Sequence, residues 1–380
     1  MPNKPINIAS LASYQIYPAI MGGQKGIALL YEYLSKYAPV TILGTSSNDA
    51  SGVTDRIQVI PMLSNSKYRY INPFLFFSIR KYLRKNKISH LVLEHPYYGW
   101  LGLPLKWFTP VKLIIHSHNI EALRFKSTGR WWWGILWHYE KLTHRKADLN
   151  FFIHDDDRNY ALEKFHLKPN KCVTITYGIE KNNAPGEAEK RSAANFIRNK
   201  YNIAPEKKIL LFNGSLDYKP NSAALDIILE KINPLLLANK NLHYTIVICG
   251  NRLPASYNEL ADYKDKNIIY AGFVDDISIF FKGADIFINP VIDGGGIKTK
   301  VVEALSHDLS VISTESGATG IPAAVAGDKM KIVADADWDE FVTQIAEMNT
   351  HATIPNTFFD HFYWGNIALK AFESIKQLDQ

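Results

Sequence analysis

Asn289-Pro-Val-Ile-Asp-Gly-Gly-Gly-Ile-Lys-Thr-Lys-Val-Val-Glu303-Ala-Leu305 places a strand end, three glycines and a helix start in one short stretch. Apolar residues run up to Asn289, Gly294, Gly295 and Gly296 follow, and helical spacing begins near Ile297. Consecutive glycines let the backbone approach a ligand closely, and the free N–H groups of a helix start favour an anion. Lys298 and Lys300 bring positive charge to that first turn, where it opposes the helix dipole unless an anionic ligand offsets it. The Gly-x4-Gly-Lys-Ser/Thr pattern of a P-loop is absent. A diphosphate is the expected ligand of the segment Gly294–Lys300, with Ile297 and Thr299 inside it. Glu303 shares a helix face with Lys300; taken alone, such an i,i+3 pair is a surface ion pair worth roughly 0.2–0.5 kcal/mol.

Outward from this stretch the pattern is α/β. Strands are expected at Ile209–Phe212, Tyr244–Cys249, Asn267–Tyr270, Asp285–Asn289 and Ser310–Ser313, with helices at Ser222–Leu237, Ile277–Lys282 and Lys298–Ser306. The first half repeats the alternation. Its strands are Ile6–Leu11, Val40–Leu43, Ile57–Ile60, Leu91–Glu94, Lys112–Ile115, Leu149–Ile153 and Val173–Thr176, and Gly22-Gly23 precede a helix over Gln24–Tyr37. Strands separated by helices at this spacing make parallel sheets from right-handed βαβ units. The polar stretch Glu180–Arg191 reads as a linker or surface loop, and Phe358–Gln380 as a closing amphipathic helix. Two doubly wound domains in tandem are expected, with the ligand site in the crevice they face.

A chain of 380 residues that is 47% hydrophobic and 21% charged is globular and long enough for two cores. Two cysteines, Cys172 and Cys249, make neither a disulfide framework nor a four-ligand zinc site. No apolar run reaches the roughly 20 residues of a membrane span, and Met1–Ile8 is too short in apolar residues for a secretory signal, so a soluble intracellular protein is expected. The net charge of +6 hides an asymmetry: residues 1–178 hold 23 Lys and Arg against 11 Asp and Glu, while the remainder is acidic. Six of the eight tryptophans lie in that basic half. Asp155-Asp156-Asp157 suits a helix start better than a metal site, Asp275-Asp276 reads as a cap, and no His-Glu-x2-His or Cys-x2-Cys occurs.

The order of segments resembles the family 4 glycosyltransferases of the GT-B architecture, over nearly the whole chain. The resemblance runs through Gly22-Gly23, Ile175-Thr-Tyr-Gly-Ile179, Leu211-Phe-Asn-Gly-Ser-Leu-Asp-Tyr-Lys-Pro-Asn221, Val247-Ile-Cys-Gly250 and Ile269-Tyr-Ala-Gly-Phe-Val-Asp-Asp276. It continues through Ala284-Asp-Ile-Phe-Ile-Asn-Pro290, the glycine loop with Glu303-Ala-Leu305, and Val311-Ile-Ser-Thr-Glu315. It implies two Rossmann-like domains and a retaining, metal-independent transfer of a hexosyl group from a UDP- or GDP-sugar, with no other cofactor. The acceptor is then a glycan or lipid-linked sugar in cell-surface polysaccharide biosynthesis. Glu303 matches the second acid of the family's Glu-x7-Glu motif, which holds the ribose hydroxyls; a carboxylate accepts from both. The first acid falls on Gly295, which matches a glycine-rich branch. In the family's Gly-Arg-x4-Lys segment, Gly214 is kept, Ser215 and Pro220 replace the basic pair, and Lys219 stands one residue away; Lys298 or Lys300 would supply the missing charge.

The same resemblance assigns residues 1–178 to the acceptor, 179–357 to the nucleotide sugar, and 358–380 to a helix packing back on the first domain. Gly22, Gly23 and His118 would face the crevice, with His118 the catalytic histidine of Leu113-Ile-Ile-His-Ser-His-Asn-Ile-Glu121 and His116 the fallback. Glu94-His95-Pro96 ends another strand, where polar residues are common. Pro73–Lys87 and Arg130–Tyr139 set basic residues beside Phe and Trp, as an interfacial helix on an anionic leaflet does, or as aromatics packed on a core do. A cytoplasmic enzyme, peripheral at the inner face of the membrane, is the resulting expectation. The rivals are a nucleotide-sugar epimerase on the same fold, a decayed sugar-nucleotide scaffold and, last, a nucleic-acid binder, which leaves the glycine loop unexplained.

Overall fold

The structure, a computed structural model, describes residues 5–379. The start of the stretch read against a secretory signal and the last residue of the expected closing helix lie outside the described residues. Contacts divide the chain into two compact units, Met1–Glu180 with Phe362–Gln380, and Lys181–His361.

The first unit holds β1 (Ile8–Ala12), β2 (Val40–Thr45), β3 (Ile57–Leu63), β4 (His90–Glu94), β5 (Lys112–Ser117), β6 (Leu149–Phe152) and β7 (Cys172–Thr174). They lie in the order β3-β2-β1-β4-β5-β6-β7, parallel throughout. The second unit holds β8 (Lys208–Asn213), β9 (Tyr244–Cys249), β10 (Ile268–Gly272), β11 (Ile286–Asn289), β12 (Ser310–Thr314) and β13 (Met330–Val333). Their order is β10-β9-β8-β11-β12-β13, again all parallel. Helices cover both faces of a parallel sheet, so its central strands are buried on each side and read as unbroken apolar runs. β1, β2, β4, β9, β11 and β12 are buried at every position. The two doubly wound α/β domains expected from the strand pattern are present.

Several local features depart from the sequence reading. The polar stretch Glu180–Arg191, expected as a linker or surface loop, runs into a helix, Glu187–Tyr201, with acidic Glu187 and Glu189 in its first turn. The helix expected over Ser222–Leu237 begins at Lys219 and is interrupted by a π-helical turn, Ile228–Ile232, before Asn233–Ala238. Pro234 has no N–H to donate and its ring crowds the carbonyl four residues back, which a widened turn relieves. The helix expected near Ile297 starts at Thr299, because Gly294 and Gly296 adopt φ of +91° and +74° and hold the loop open. The closing helix is two: Asn356–Phe362 and Trp364–Lys376. Between them Tyr363 is extended; the Ile179 N–H donates to the Phe362 carbonyl at 2.7 Å, and the Trp364 N–H donates to the Ile179 carbonyl at 3.0 Å.

Trp364–Lys376 packs against the helix Gly22–Leu34 within the first unit, with Phe372 stacked on Tyr37 at 5.4 Å. Trp364 is buried over Gly178, where a β-carbon would lie 2.6 Å from its ring. In the second unit a β-carbon at Gly250 would collide with the Gly214 carbonyl. That close approach brings the carboxyl ends of β8 and β9 together beside the glycine loop.

Candidate functional site

Ligands of open α/β sheets lie beyond the carboxyl ends of the strands, and in both units the expected residues collect there. In the second unit β11 ends at Asn289, whose side-chain amide donates to Ser313 Oγ at 3.0 Å and to the Gly317 carbonyl at 2.9 Å. This ties the start of the loop to the end of β12. The loop then passes Pro220, whose Cγ is 3.3 Å from where a Gly294 β-carbon would stand. Lys298 Nζ donates to the carbonyls of Gly294 and Gly296. Lys300 Nζ donates to the Asn213 carbonyl at 3.3 Å and Asn221 Oδ1 at 2.9 Å, and lies 4.7 Å from the centre of the Phe212 ring.

Both ammonium groups are thus held by neutral oxygens. Burial lowers Lys300 to about 7, with the Lys298 charge pushing the same way. Burial lowers Lys298 to about 8, against the attraction of Asp293. Two cations kept partly desolvated beside each other are the condition that an arriving polyanion relieves.

Gly214 packs on Asn221, which reaches back to the Ser215 carbonyl at 2.9 Å. Ser215 Oγ donates to Asp217 Oδ1 at 2.7 Å, and Lys219 is exposed at the first position of its helix. Of the residues named for the donor side, Gly214, Gly294, Lys298 and Lys300 converge, while Lys219 points to solvent. Gly295, Ile297 and Thr299 lie on the loop and at the helix start; Glu303 is half-buried one turn on. Asn221 was not singled out by sequence reasoning; its place directly after Pro220, where the Gly-Arg-x4-Lys segment ends, was the available signal.

In the first unit, the register Ala12↔Glu94↔His116 aligns the ends of β1, β4 and β5. Glu94 is fully buried there. Its Oε2 accepts from His118 Nε2 at 2.7 Å and lies 3.0 Å from His116 Nδ1. Its Oε1 accepts from the Tyr31 hydroxyl at 2.5 Å and the Ser10 hydroxyl at 3.4 Å. The imidazoles of His95 and His116 each lie with centroids 4.4 Å from that of His118. His95 has φ +67°, an uncommon conformation outside glycine that clusters at functional sites. Its Nδ1 meets Glu121 Oε1 at 3.0 Å, and Arg124 pairs with the same carboxylate.

Burial raises the Glu94 carboxyl, but His116 and His118 overcome it and hold it well below the usual range. Burial, reinforced by the His95 and His116 imidazoles, lowers His118 to about 4, so it is neutral at physiological pH. Burial opposes ionisation of Glu121 too, yet the His95 hydrogen bond, the His95 charge and Arg124 bring it to about 2. Glu94, His116 and His118 offer a cation three ligand atoms within 4.8 Å of one another. Gly22 and Gly23 open their helix beside Tyr14, whose hydroxyl is 3.4 Å from His95 Nε2. The structure therefore joins Gly23, Tyr14, His95 and His118 into one neighbourhood. Tyr31 and Glu121 were not singled out by the sequence reading: Tyr31 reaches Glu94 from the helix Gly22–Leu34 and Glu121 reaches His95 from the start of the helix Glu121–Ser127, contacts between elements far apart in the chain.

Asp276 caps its helix by accepting from the Ser278 N–H at 2.9 Å. His154, not an aspartate, accepts from the Asp157 N–H, and the three aspartates occupy the first helical turn. On the basic side, Leu75, Ile79 and Leu83 of the helix Leu75–Lys85 face the core, while Phe74 and Phe77 stay exposed. Trp107 and Phe108, ending the helix Gly99–Phe108, are exposed beside them. Arg84 Nη2 donates to the Phe108 carbonyl at 3.2 Å and Phe76 meets the Phe108 ring edge-on at 5.8 Å. Packing on the core therefore accounts for only part of this aromatic run. No helix among the described residues is long and apolar enough to cross a membrane. A depression of about 630 Å³ lined by Asn7, Tyr37, Arg56 and Tyr82 lies at the amino ends of β1–β4, the wrong edge of the sheet for this chemistry.

Residues 21–182 match the family described as Glycosyltransferase Family 4, and residues 207–351 match the one described as Glycosyl transferases group 1. A Klebsiella pneumoniae protein described as an uncharacterized 44.6 kDa protein in the cps region is 29% identical over 117 residues; the match takes in 29% of this chain and 30% of that relative's length. A glycosyltransferase from Rickettsia africae superimposes with a TM-score of 0.73 at 15% identity, covering 98% of each chain. HepE from Anabaena, solved in complex with UDP, superimposes with a TM-score of 0.71 at 12% identity, covering 98% of this chain and 100% of its own.

Proposed function

The chain belongs to the family 4 glycosyltransferases of the GT-B architecture, and from that premise we propose that it transfers a hexosyl group, with retention, from a UDP- or GDP-sugar to a glycan or lipid-linked acceptor of a cell-surface polysaccharide. The observation that carries the donor side is the pair Lys298 and Lys300, half-desolvated on neutral oxygens at a glycine loop. A nucleoside diphosphate brings two phosphates to that place, and Glu303 on the next helical turn takes the ribose hydroxyls. The lysines stand in for the basic pair replaced by Ser215 and Pro220, so no metal is needed to neutralise the leaving diphosphate. The first unit takes the acceptor, and His118 offers a neutral imidazole to the transferred sugar. The relative from the Klebsiella cps region and the UDP complex of HepE agree with this reading.

Thermal unfolding against UDP, GDP, ADP, CMP and their sugars, with and without magnesium, tests it. A ligand at a hundred times its Kd stabilises by about 2.7 kcal/mol. One nucleoside diphosphate should raise the melting temperature without metal, and Glu303→Ala should remove that rise. Silence across the whole set at saturating concentration would leave a decayed scaffold. Conversion of the sugar nucleotide with no acceptor present would instead make the protein an epimerase.

The lipid-linked acceptor is supported by the exposed Phe74, Phe77, Trp107 and Phe108 bordered by Lys81, Arg84 and Lys85. Aromatics at headgroup depth with cations around them suit the anionic inner leaflet, each cation contributing about 1 kcal/mol near the surface. Co-sedimentation with phosphatidylglycerol-containing vesicles should exceed that with pure phosphatidylcholine and fall with salt. Phe77→Asp combined with Lys81→Glu should abolish it; equal binding to neutral vesicles would count against a peripheral contact.

A further inference from the structure

We propose that Glu94 is a positioning residue that fixes the tautomer of His118, presenting Nδ1 as the acceptor to a hydroxyl of the transferred sugar. The inference rests on the assignment of His118 above. A carboxylate can only accept, so at 2.7 Å Glu94 Oε2 requires the proton on His118 Nε2. A neutral imidazole carries one ring proton, and with it on Nε2 the lone pair is on Nδ1. The carboxylate cannot swing away: Tyr31 and Ser10 hold its other oxygen, and the β1–β4–β5 register fixes its backbone. The ring cannot tilt freely either. His95 and His116 lie against it, and His95 is itself fixed by Glu121 and a left-handed backbone. Burying an ionised carboxylate is costly without compensating groups, and β4 places this one with one oxygen directly against the candidate catalytic ring.

The test is Glu94→Gln, whose carboxamide can turn an N–H toward His118 and drive the ring proton to Nδ1. Nitrogen-15 chemical shifts and two-bond couplings of His118 should change from the Nε2–H to the Nδ1–H pattern. The kcat should fall about ten- to a hundredfold, the scale of one hydrogen bond to a reacting substrate, with the donor KM changed less. Stabilisation by the free nucleoside diphosphate, which lacks the sugar, should persist. Glu94→Asp, still an acceptor, should keep the Nε2–H pattern and recover part of kcat. An Nδ1–H tautomer in the unaltered enzyme overturns the proposal even if the variants fail to fold. So does wild-type kcat in Glu94→Gln, or turnover that is lost to a chelator and restored by zinc in the unaltered enzyme. Wild-type turnover in His118→Ala, by contrast, would overturn the role of His118 while the nucleotide result above stands or falls separately.

Discussion

Lys300→Met should lower kcat/KM for the sugar nucleotide about a hundred- to a thousandfold, the cost of removing one preorganised group that meets developing charge. The unliganded protein should change far less. Lys300 gives hydrogen bonds to Asn213 and Asn221, each of modest net worth, and methionine forfeits both. Methionine also removes the cost of burying a charge that no anion yet balances, so the two effects oppose each other. The pH dependence is specific. Burial sets Lys300 near 7 in the free protein, against 10.5 for an unperturbed lysine. The folded state then holds fewer protons than the unfolded state between those values, so this group makes stability rise with pH across that window and lowest below 7. A bound diphosphate draws the proton back, so affinity falls as pH rises above about 7. Calorimetry near pH 8 in buffers of different ionisation enthalpy should show proton uptake on nucleotide binding, and Lys300→Met should reduce it. A variant that keeps the full nucleotide-induced rise in melting temperature would remove Lys300 from the donor site.

Most of the fold was legible because a parallel sheet buries its strands on both faces. Val40–Thr45, Tyr244–Cys249 and Ser310–Thr314 are short β-branched-rich segments buried at every position, without the one-sided spacing of an amphipathic helix. β13 was not read, and its residues explain why. It is an edge strand with Lys331 half-buried and Ile332 exposed, and Lys329 precedes it, so no apolar run marks it. The glycine loop was legible since Gly294, Lys298 and Lys300 are neighbours in sequence. The point to which Lys300 reaches was not: Asn221 lies 79 residues back in the chain, and the pair forms only when β8 and β11 lie side by side. The Glu94 cluster was harder still. Its members become neighbours only when β4 and β5 pair Glu94 with His116, a register that no local pattern encodes.

Asp308→Ala should cost the protein about 3–5 kcal/mol, the range for breaking a buried ion pair by removing one partner. Asp308 lies at φ +58° just after the helix Thr299–Ser306, almost fully buried. Its Oδ2 holds Lys190 at 2.8 Å; its Oδ1 lies 3.4 Å from the Lys329 amine and accepts from the Ile354 N–H at 2.7 Å. Lys329 is 1% exposed, and burial already lowers it against the attraction of Asp308. Without the aspartate that ammonium keeps the Thr350 carbonyl at 3.4 Å and the more distant charge of Glu187, and the Ile354 N–H loses its acceptor. Alanine also tolerates the left-handed backbone poorly, whereas asparagine adopts it readily and keeps an oxygen for Ile354. Asp308→Asn should therefore fall between the two, isolating the charge. Urea unfolding should show a lower midpoint with an unchanged slope for Asp308→Ala. Joining Lys329→Met to Asp308→Asn should recover stability, since the second change removes the charge that the first leaves unpaired. Additive losses in that pair would mean that Lys329 is stabilised by something other than Asp308. Turnover well below the unfolding transition should match the unaltered enzyme, because the contacts of Asp308 run to Lys190, Lys329 and Ile354 and not to Lys298 or Lys300.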